Sequence, residues 1–134
     1  MTSGPSGVEP YNDAVRWHFA NALHAGDLEP RYAATVTAEA SESVSGCRVV
    51  LAAELDGSVL RRVRYRVFGC PHLIAAAEVS SSRFEGRKVD ALQEFSVAPL
   101  MELLDVPVTK TGRLLLLEDA VRALARAVSP ADPG

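Results

Sequence analysis

Two cysteines, two methionines and one tryptophan in 134 residues leave little material for several kinds of chemistry. Two cysteines cannot form the disulfide framework of a small secreted domain, so packing has to hold the core. No stretch approaches the roughly 20 consecutive apolar residues that a membrane-crossing helix needs, so no membrane partner is expected. Positive charge is not in excess either. Lys and Arg number 14 against 17 Asp and Glu, a net charge of −3, which lacks the basic footprint of a nucleic-acid binder. P-loop, H-E-x-x-H, EF-hand and C-x-x-C patterns are absent, and "GRKVDAL" does not have the spacing of a phosphate loop. The opening "MTSGPSGVEP" has neither an apolar core nor an early basic residue, so it does not read as an export signal. The expected setting is therefore the reducing cytoplasm, with free thiols.

What is present fits one domain with a modest core. The sequence places that domain at 11–128, between flexible tails at 1–10 and 129–134. "YNDAVRWHFANALHAG" reads as a helix. Asn12 is its N-cap, Asp13 suits the positive end of the dipole, and Gly26 closes it. Val15, Phe19 and Leu23 recur on one face, while His18 and His24 read as partly exposed surface imidazoles. "YAATVTAEAS" alternates weakly, as a first strand would. "CRVVLAAELDGSVLRRVRYRVFGC" is a hairpin turning at Asp56-Gly57. Val59, Val63, Tyr65 and Val67 share one face of its second arm. Arg62, Arg64 and Arg66 share the other, which reads as the wet side of a sheet.

Helices follow. "CPHLIAAAEVSSSRFEG" has Pro71 in its first turn and Leu73, Ala77, Ser80 and Phe84 near helical spacing, with Gly86 closing it. "KVDALQEFSVAPLMELLD" gives a turn and a short helix, and "VPVTKTG" a loop. "RLLLLEDAVRALARAV" carries a stripe of Leu114, Leu117, Val121, Leu124 and Val128, with Glu118 and Arg122 paired at i, i+4 on its wet face. Helix, strands, then helices is an α+β order: an antiparallel sheet of about three strands with helices packed on one face.

The chemistry concentrates in "FGCPHLIAAAE". Cys70 stands where a helix N-cap belongs, and the partial positive charge there favours a thiolate, which is both nucleophile and metal ligand. His72 lies two residues on. With the turn centred on Asp56-Gly57, Cys47 pairs near position 66 or 67, which starts the two thiols on the order of 10 Å apart at one end of the sheet. Cys47 shares its parity with Val49, Leu51 and Ala53, the more apolar face. Cys70, Cys47 and His72 would supply three of the four ligands of a tetrahedral site. The other readings of Cys70 are a buried structural thiol and a nucleophile with His72 as base, though no third residue to orient that base is evident.

The order of these segments resembles the IscU/NifU-type iron–sulfur cluster assembly scaffolds. Tyr11, Val15, His18, Phe19, Asn21 and Gly26 are similar to that family's "Y…V…H-Y-x-N" opening. "YRVFGCPHLIAAAE" is similar to its "F-x-x-x-G-C-x-x-x-x-A-S-S", "FEGRKVDAL" to its "G-K-x-x-D-E-A", "VPVTK" to its "LPPVK" and "LLEDAV" to its "LAEDAI". The resemblance implies an antiparallel sheet with helices on one side, and a non-enzymatic scaffold that holds a [2Fe–2S] cluster, iron or zinc at one end of that sheet. It also implies a cysteine desulfurase, an Hsp70-type chaperone and apo-protein clients as partners, with Val106, Pro107, Val108 and Lys110 in the loop the chaperone reads. The implied ligand set is incomplete here. The central cysteine is Cys70. The "C-G-D" stretch reads Gly46-Cys47-Arg48, and the "H-C" before the last helix falls at Gly112-Arg113. The expectation is a scaffold that binds its cargo through Cys70, Cys47 and His72, as a monomer or a homodimer pooling two Cys70 sites. Its rivals are a metal-free adaptor that docks a desulfurase, a chaperone or a client, and a sulfur relay through a persulfide on Cys70.

Overall fold

The computed structural model describes residues 12–26 and 34–128. Its elements run α1 (Asp13–Ala20), β1 (Ala34–Ser41), β2 (Arg48–Asp56), β3 (Val59–Phe68), α2 (Pro71–Phe84), α3 (Ala98–Leu103) and α4 (Thr111–Val128), with 3₁₀ turns at Val89–Leu92 and Val108–Lys110. The sheet is antiparallel in the order β1-β2-β3. The α+β expectation holds. The two tails, Tyr11, Tyr32 and Ala33 lie outside the described residues.

The hairpin turns one residue later than the Asp-Gly signal suggests. Asp56 pairs with Val59, which leaves Gly57 and Ser58 as the loop. Gly57 has φ 64°, the left-handed region that such two-residue loops require. A register shift between Glu54 and Leu55 then opposes Leu55 to Leu60 but Glu54 to Arg62, so Arg61 is an extra residue on β3. That bulge reverses the parity of the strand's first residues. Leu60, not Val59, faces the core, and it is wholly buried. Beyond the bulge, Val63 and Tyr65 join Val49, Leu51 and Ala53 on the inner face.

On that face α2 packs against β3, and α4 covers β1 and β2. The expected α2 stripe of Leu73, Ala77, Ser80 and Phe84 is buried, but so are His72, Ala75, Ala76, Glu78, Val79 and Ser81. The small alanines let neighbours approach on several sides at once. Helix α4 begins at Thr111, two residues earlier than expected, and buries Leu114, Leu117, Val121 and Leu124. Each fully buried leucine stabilises the fold by roughly 1.5–3 kcal/mol. Glu118 is paired with Arg122 at 3.0 Å as expected, but it is also buried and accepts the Val97 N–H at 3.0 Å, which ties the start of α3 to α4.

Helix α1 departs from its sequence pattern. Asn12 caps it, with its side chain accepting the Val15 N–H at 2.9 Å. The helix ends at Ala20, because the Asn21 side-chain amide and backbone N–H both bond to the Trp17 carbonyl. Only Val15 of the apolar trio is buried; Phe19 and Leu23 are exposed. The released segment runs along the edge of β3: Tyr65 N–H donates to the His24 carbonyl and Gly26 N–H to the Tyr65 carbonyl. His24 is partly exposed, as expected, but it is held at both ring nitrogens. Its Nδ1 lies 2.6 Å from Glu78 and its Nε2 3.2 Å from Glu85. The arginine face of β3 is not simply solvated either. Arg62 pairs with the wholly buried Glu54 at 2.7 Å, and Arg64 with Glu85 at 2.6 Å.

Candidate functional site

At the end of the sheet away from the hairpin, the two cysteines lie nearer in register than expected. The last pair of β2 and β3 is Arg48 with Phe68, so Cys47 stands beside Gly69 rather than beside position 66 or 67. Cys70 is then one residue past Cys47's neighbour, not three. The later turn and the bulge together account for the difference. A Cβ added at Gly69 would stand 3.5 Å from the Cys47 sulfur and 2.9 Å from Leu73 Cδ2. Gly69 is therefore the spacer that lets the strand end run close to both.

Local structure fixes each thiol. Cys47 is 5% exposed and follows a tight β1–β2 loop, in which Gly46 takes φ 76° and donates to the Glu42 carbonyl. The Cys47 N–H donates to Ser45 Oγ at 3.2 Å, and its carbonyl accepts from Glu42 N–H at 2.9 Å. Cys70 occupies the N-cap of α2 in extended conformation, φ −83° and ψ 165°, with Pro71 behind it. Its carbonyl accepts the Leu73 and Ile74 N–H groups, but its side chain makes no capping bond. The half-buried sulfur is left for other chemistry.

Arg113 meets that sulfur from the first turns of α4. A hydrogen bond to Cys70 and the field of Cys70, with lesser help from Cys47 and Glu42, hold the Arg113 guanidinium above its ordinary pKa against the opposing effect of burial. Arg113 is the residue that sequence reasoning underrated. It was visible as the arginine at the family's last cysteine position, but its contact with Cys70 depends on how α4 docks.

His72 points elsewhere. It is wholly buried, with Nδ1 3.5 Å from Lys110 Nζ. Burial lowers its pKa most, Lys110 lowers it further, and Asp105 opposes both. Asp105 ends α3 at φ 51°, a left-handed position that aspartate tolerates, and so turns the chain into the Val106–Lys110 loop. In that loop Val106 is buried and Val108 is 86% exposed. Among the described residues, no three His, Cys, Asp or Glu side chains are grouped so that they could hold a metal ion. The end of the sheet thus offers two sulfurs and a guanidinium, which is not a complete donor set for a tetrahedral metal or a cluster.

Comparison with known proteins gives a consistent result. The family model described as the NifU-like N terminal domain matches residues 10–129. The iron–sulfur cluster assembly protein IscU of Plasmodium falciparum is 24% identical over 115 residues, covering 86% of this chain and 71% of that protein. The iron–sulfur cluster assembly scaffold protein IscU of Rickettsia prowazekii is 25% identical over 114 residues, covering 84% and 87%. The crystal structure of a nitrogen-fixing NifU-like protein (N-terminal) from Brucella abortus superposes with a TM-score of 0.71 at 18% identity, covering 90% of this chain and 95% of that one. At that identity the structural likeness shows the fold alone.

Proposed function

The chain belongs to the NifU-like N-terminal domain family, and from that premise we propose that it is a scaffold-like protein of iron–sulfur cluster assembly, with Cys70 as its working thiol. The observation that carries the reading is the pairing of Cys47 and Cys70 at one end of the sheet, across Gly69. Relatives named for cluster assembly match most of the chain. The cargo is a [2Fe–2S] cluster, iron or zinc. Because one chain supplies two sulfurs beside Arg113, the cargo draws its remaining ligands from outside: a second copy, a partner's thiol, or His72 once it leaves Lys110. The protein is not an enzyme in this reading. It works in the cytoplasm with a cysteine desulfurase as sulfur donor and apo-proteins as clients. The exposed Val108, with Val106, Pro107 and Lys110, forms the loop that an Hsp70-type chaperone reads.

The test is the iron, zinc and acid-labile sulfide content of anaerobically reconstituted wild type beside Cys70→Ser, with the mass of the loaded species. Iron with sulfide in the wild type alone, in a dimer, supports a scaffold pooling two sites. Zinc alone, lost also in His72→Gln, supports a mononuclear site. A protein that retains neither metal nor sulfide sinks the scaffold reading and leaves a metal-free adaptor.

A further inference from the structure

The second feature of note lies at the other end of α2. Fourteen helical residues separate Cys70 from the helix end, about 20 Å along the axis. There, between α2 and α3, a cavity of about 240 Å³ opens to the surface. Its floor is apolar: Phe84 and Leu100 are buried, and Phe95 is half-buried against Phe84 with ring centroids 5.5 Å apart. Its rim carries Arg83 and Arg87, with Glu94 as the one opposing carboxylate.

Size and charge decide what fits. Drug-sized and cofactor sites run about 300–1,000 Å³, so this cavity suits a single side chain rather than a whole small molecule. The two arginines differ from those of the sheet and of α4 that form ion pairs. Arg48, Arg61, Arg62, Arg64 and Arg122 each pair with a carboxylate. Arg83 and Arg87 are exposed and make no ion pair among the described residues. Two cations without an ion-pair partner, against one rim carboxylate, leave a net positive field over an apolar pocket that an acidic partner would complement, on a chain of net charge −3.

The geometry points to a docking pocket for a partner protein: one leucine or phenylalanine side chain of an acidic segment seats on Phe84, Phe95 and Leu100, and its flanking carboxylates meet Arg83 and Arg87. This holds whether or not Cys70 carries cargo, because the pocket shares no residue with that end of the sheet.

The test is a titration of the ¹⁵N-labelled full chain with the blocked peptide Glu-Glu-Leu-Phe-Glu-Glu. One control peptide has lysine for every glutamate, and another has alanine for Leu-Phe. The expected result is saturable shifts at Phe84, Arg87, Ala91 and Phe95 with the acidic peptide alone, weakening as salt rises. Arg83→Glu with Arg87→Glu should lower the affinity about tenfold, and Ala91→Trp, which plugs the cavity and keeps both arginines, should abolish the shifts. Both variants are checked for an unchanged fold by the spread of their spectra. Equal binding of the lysine or alanine peptide overturns the proposal, as does no shift in the pocket at millimolar peptide. Inorganic phosphate reproducing the same shifts would make it a small-anion site instead, and concentration-dependent dimerisation blocked by Ala91→Trp would make it a contact between copies. Either result also overturns it.

Discussion

Glu78 should be among the most expensive side chains in the protein to remove. It sits on α2 at 4% exposure and accepts three hydrogen bonds: His24 N–H at 2.9 Å, His24 Nδ1 at 2.6 Å and the Tyr65 hydroxyl at 3.1 Å. Those bonds hold the Leu23–Gly26 segment against β3. Glu78→Ala leaves the Tyr65 hydroxyl and the His24 N–H buried without that acceptor, at about 1–3 kcal/mol each. It also breaks a buried imidazole–carboxylate contact, so the total should be about 3–5 kcal/mol. At about 3–5 °C per kcal/mol for a domain of this size, the melting midpoint should fall by about 10–20 °C. Glu78→Gln keeps one acceptor oxygen for the His24 N–H and the Tyr65 hydroxyl and turns the other into a donor that a neutral His24 Nδ1 can accept, so it should cost about 1–2 kcal/mol. A local readout separates this from general damage. Amide exchange at Gly26 and Tyr65, whose N–H groups bond across the strand edge, should accelerate more than exchange in α4. A loss below about 1 kcal/mol, or unchanged exchange at Gly26, would refute the idea that Glu78 anchors the segment.

Gly69→Ala should destabilise by about 1–2 kcal/mol in thermal melts, because its Cβ meets Leu73 Cδ2 at 2.9 Å in a filled core. Cys47, at 5% exposure, should react with iodoacetamide much more slowly than Cys70, as read by peptide mass spectrometry; comparable rates would show that the β1–β2 loop opens readily. Arg113→Ala should strengthen zinc binding a few-fold in a competition assay, since it removes a cation from beside Cys70 and Cys47. Two groups should set the acid limit of stability. Burial, with Arg83, holds His18 below 6.5 while Glu78 opposes, so the folded state prefers the neutral ring; the stability this preserves is lost as pH falls from about 6.5 towards the lowered folded value, and His18→Asn should flatten that limb of the melting profile. Burial pushes the Glu85 carboxyl up, but the Val63 N–H, Arg64 and His24 outweigh it and leave it below 4.5. Its contribution is complete above about pH 4.5 and is lost on further acidification, a loss that Glu85→Gln should remove.

The elements with strong local signals were legible in the sequence. Pro71 at a helix start and the leucine stripe of α4 each carry a local physical reason and appear where that reason puts them, and Gly57 takes the left-handed position of a two-residue turn, though as its first residue rather than its second. The misreadings arose where tertiary contacts outvoted periodicity. Val15, Phe19 and Leu23 have helical spacing, yet Asn21 ends the helix and β3 offers the next residues an edge to pair with. Nothing within residues 12–26 announces the partners Glu78 and Glu85, which lie more than fifty positions away.

The candidate site shows the same division more sharply. That both cysteines lie at one end of the sheet was readable from the hairpin; their spacing was not, because a bulge at Glu54/Leu55 and a shifted loop move the register by two or three residues. Arg113 was readable as a substitution, but only the docking of α4 shows that the substituted side chain reaches the sulfur. A guanidinium in contact with Cys70 changes what the site asks of its partners. Two thiols beside a cation should favour an anionic sulfur or an incoming acidic group over a bare metal ion, unless other thiolates arrive to offset the charge. Restoring a ligand at that position is therefore the decisive perturbation. Arg113→Cys should raise iron and sulfide retention per chain if the fold still presents a scaffold geometry, and should leave retention unchanged if Cys47 and Cys70 no longer converge with that position on a common metal.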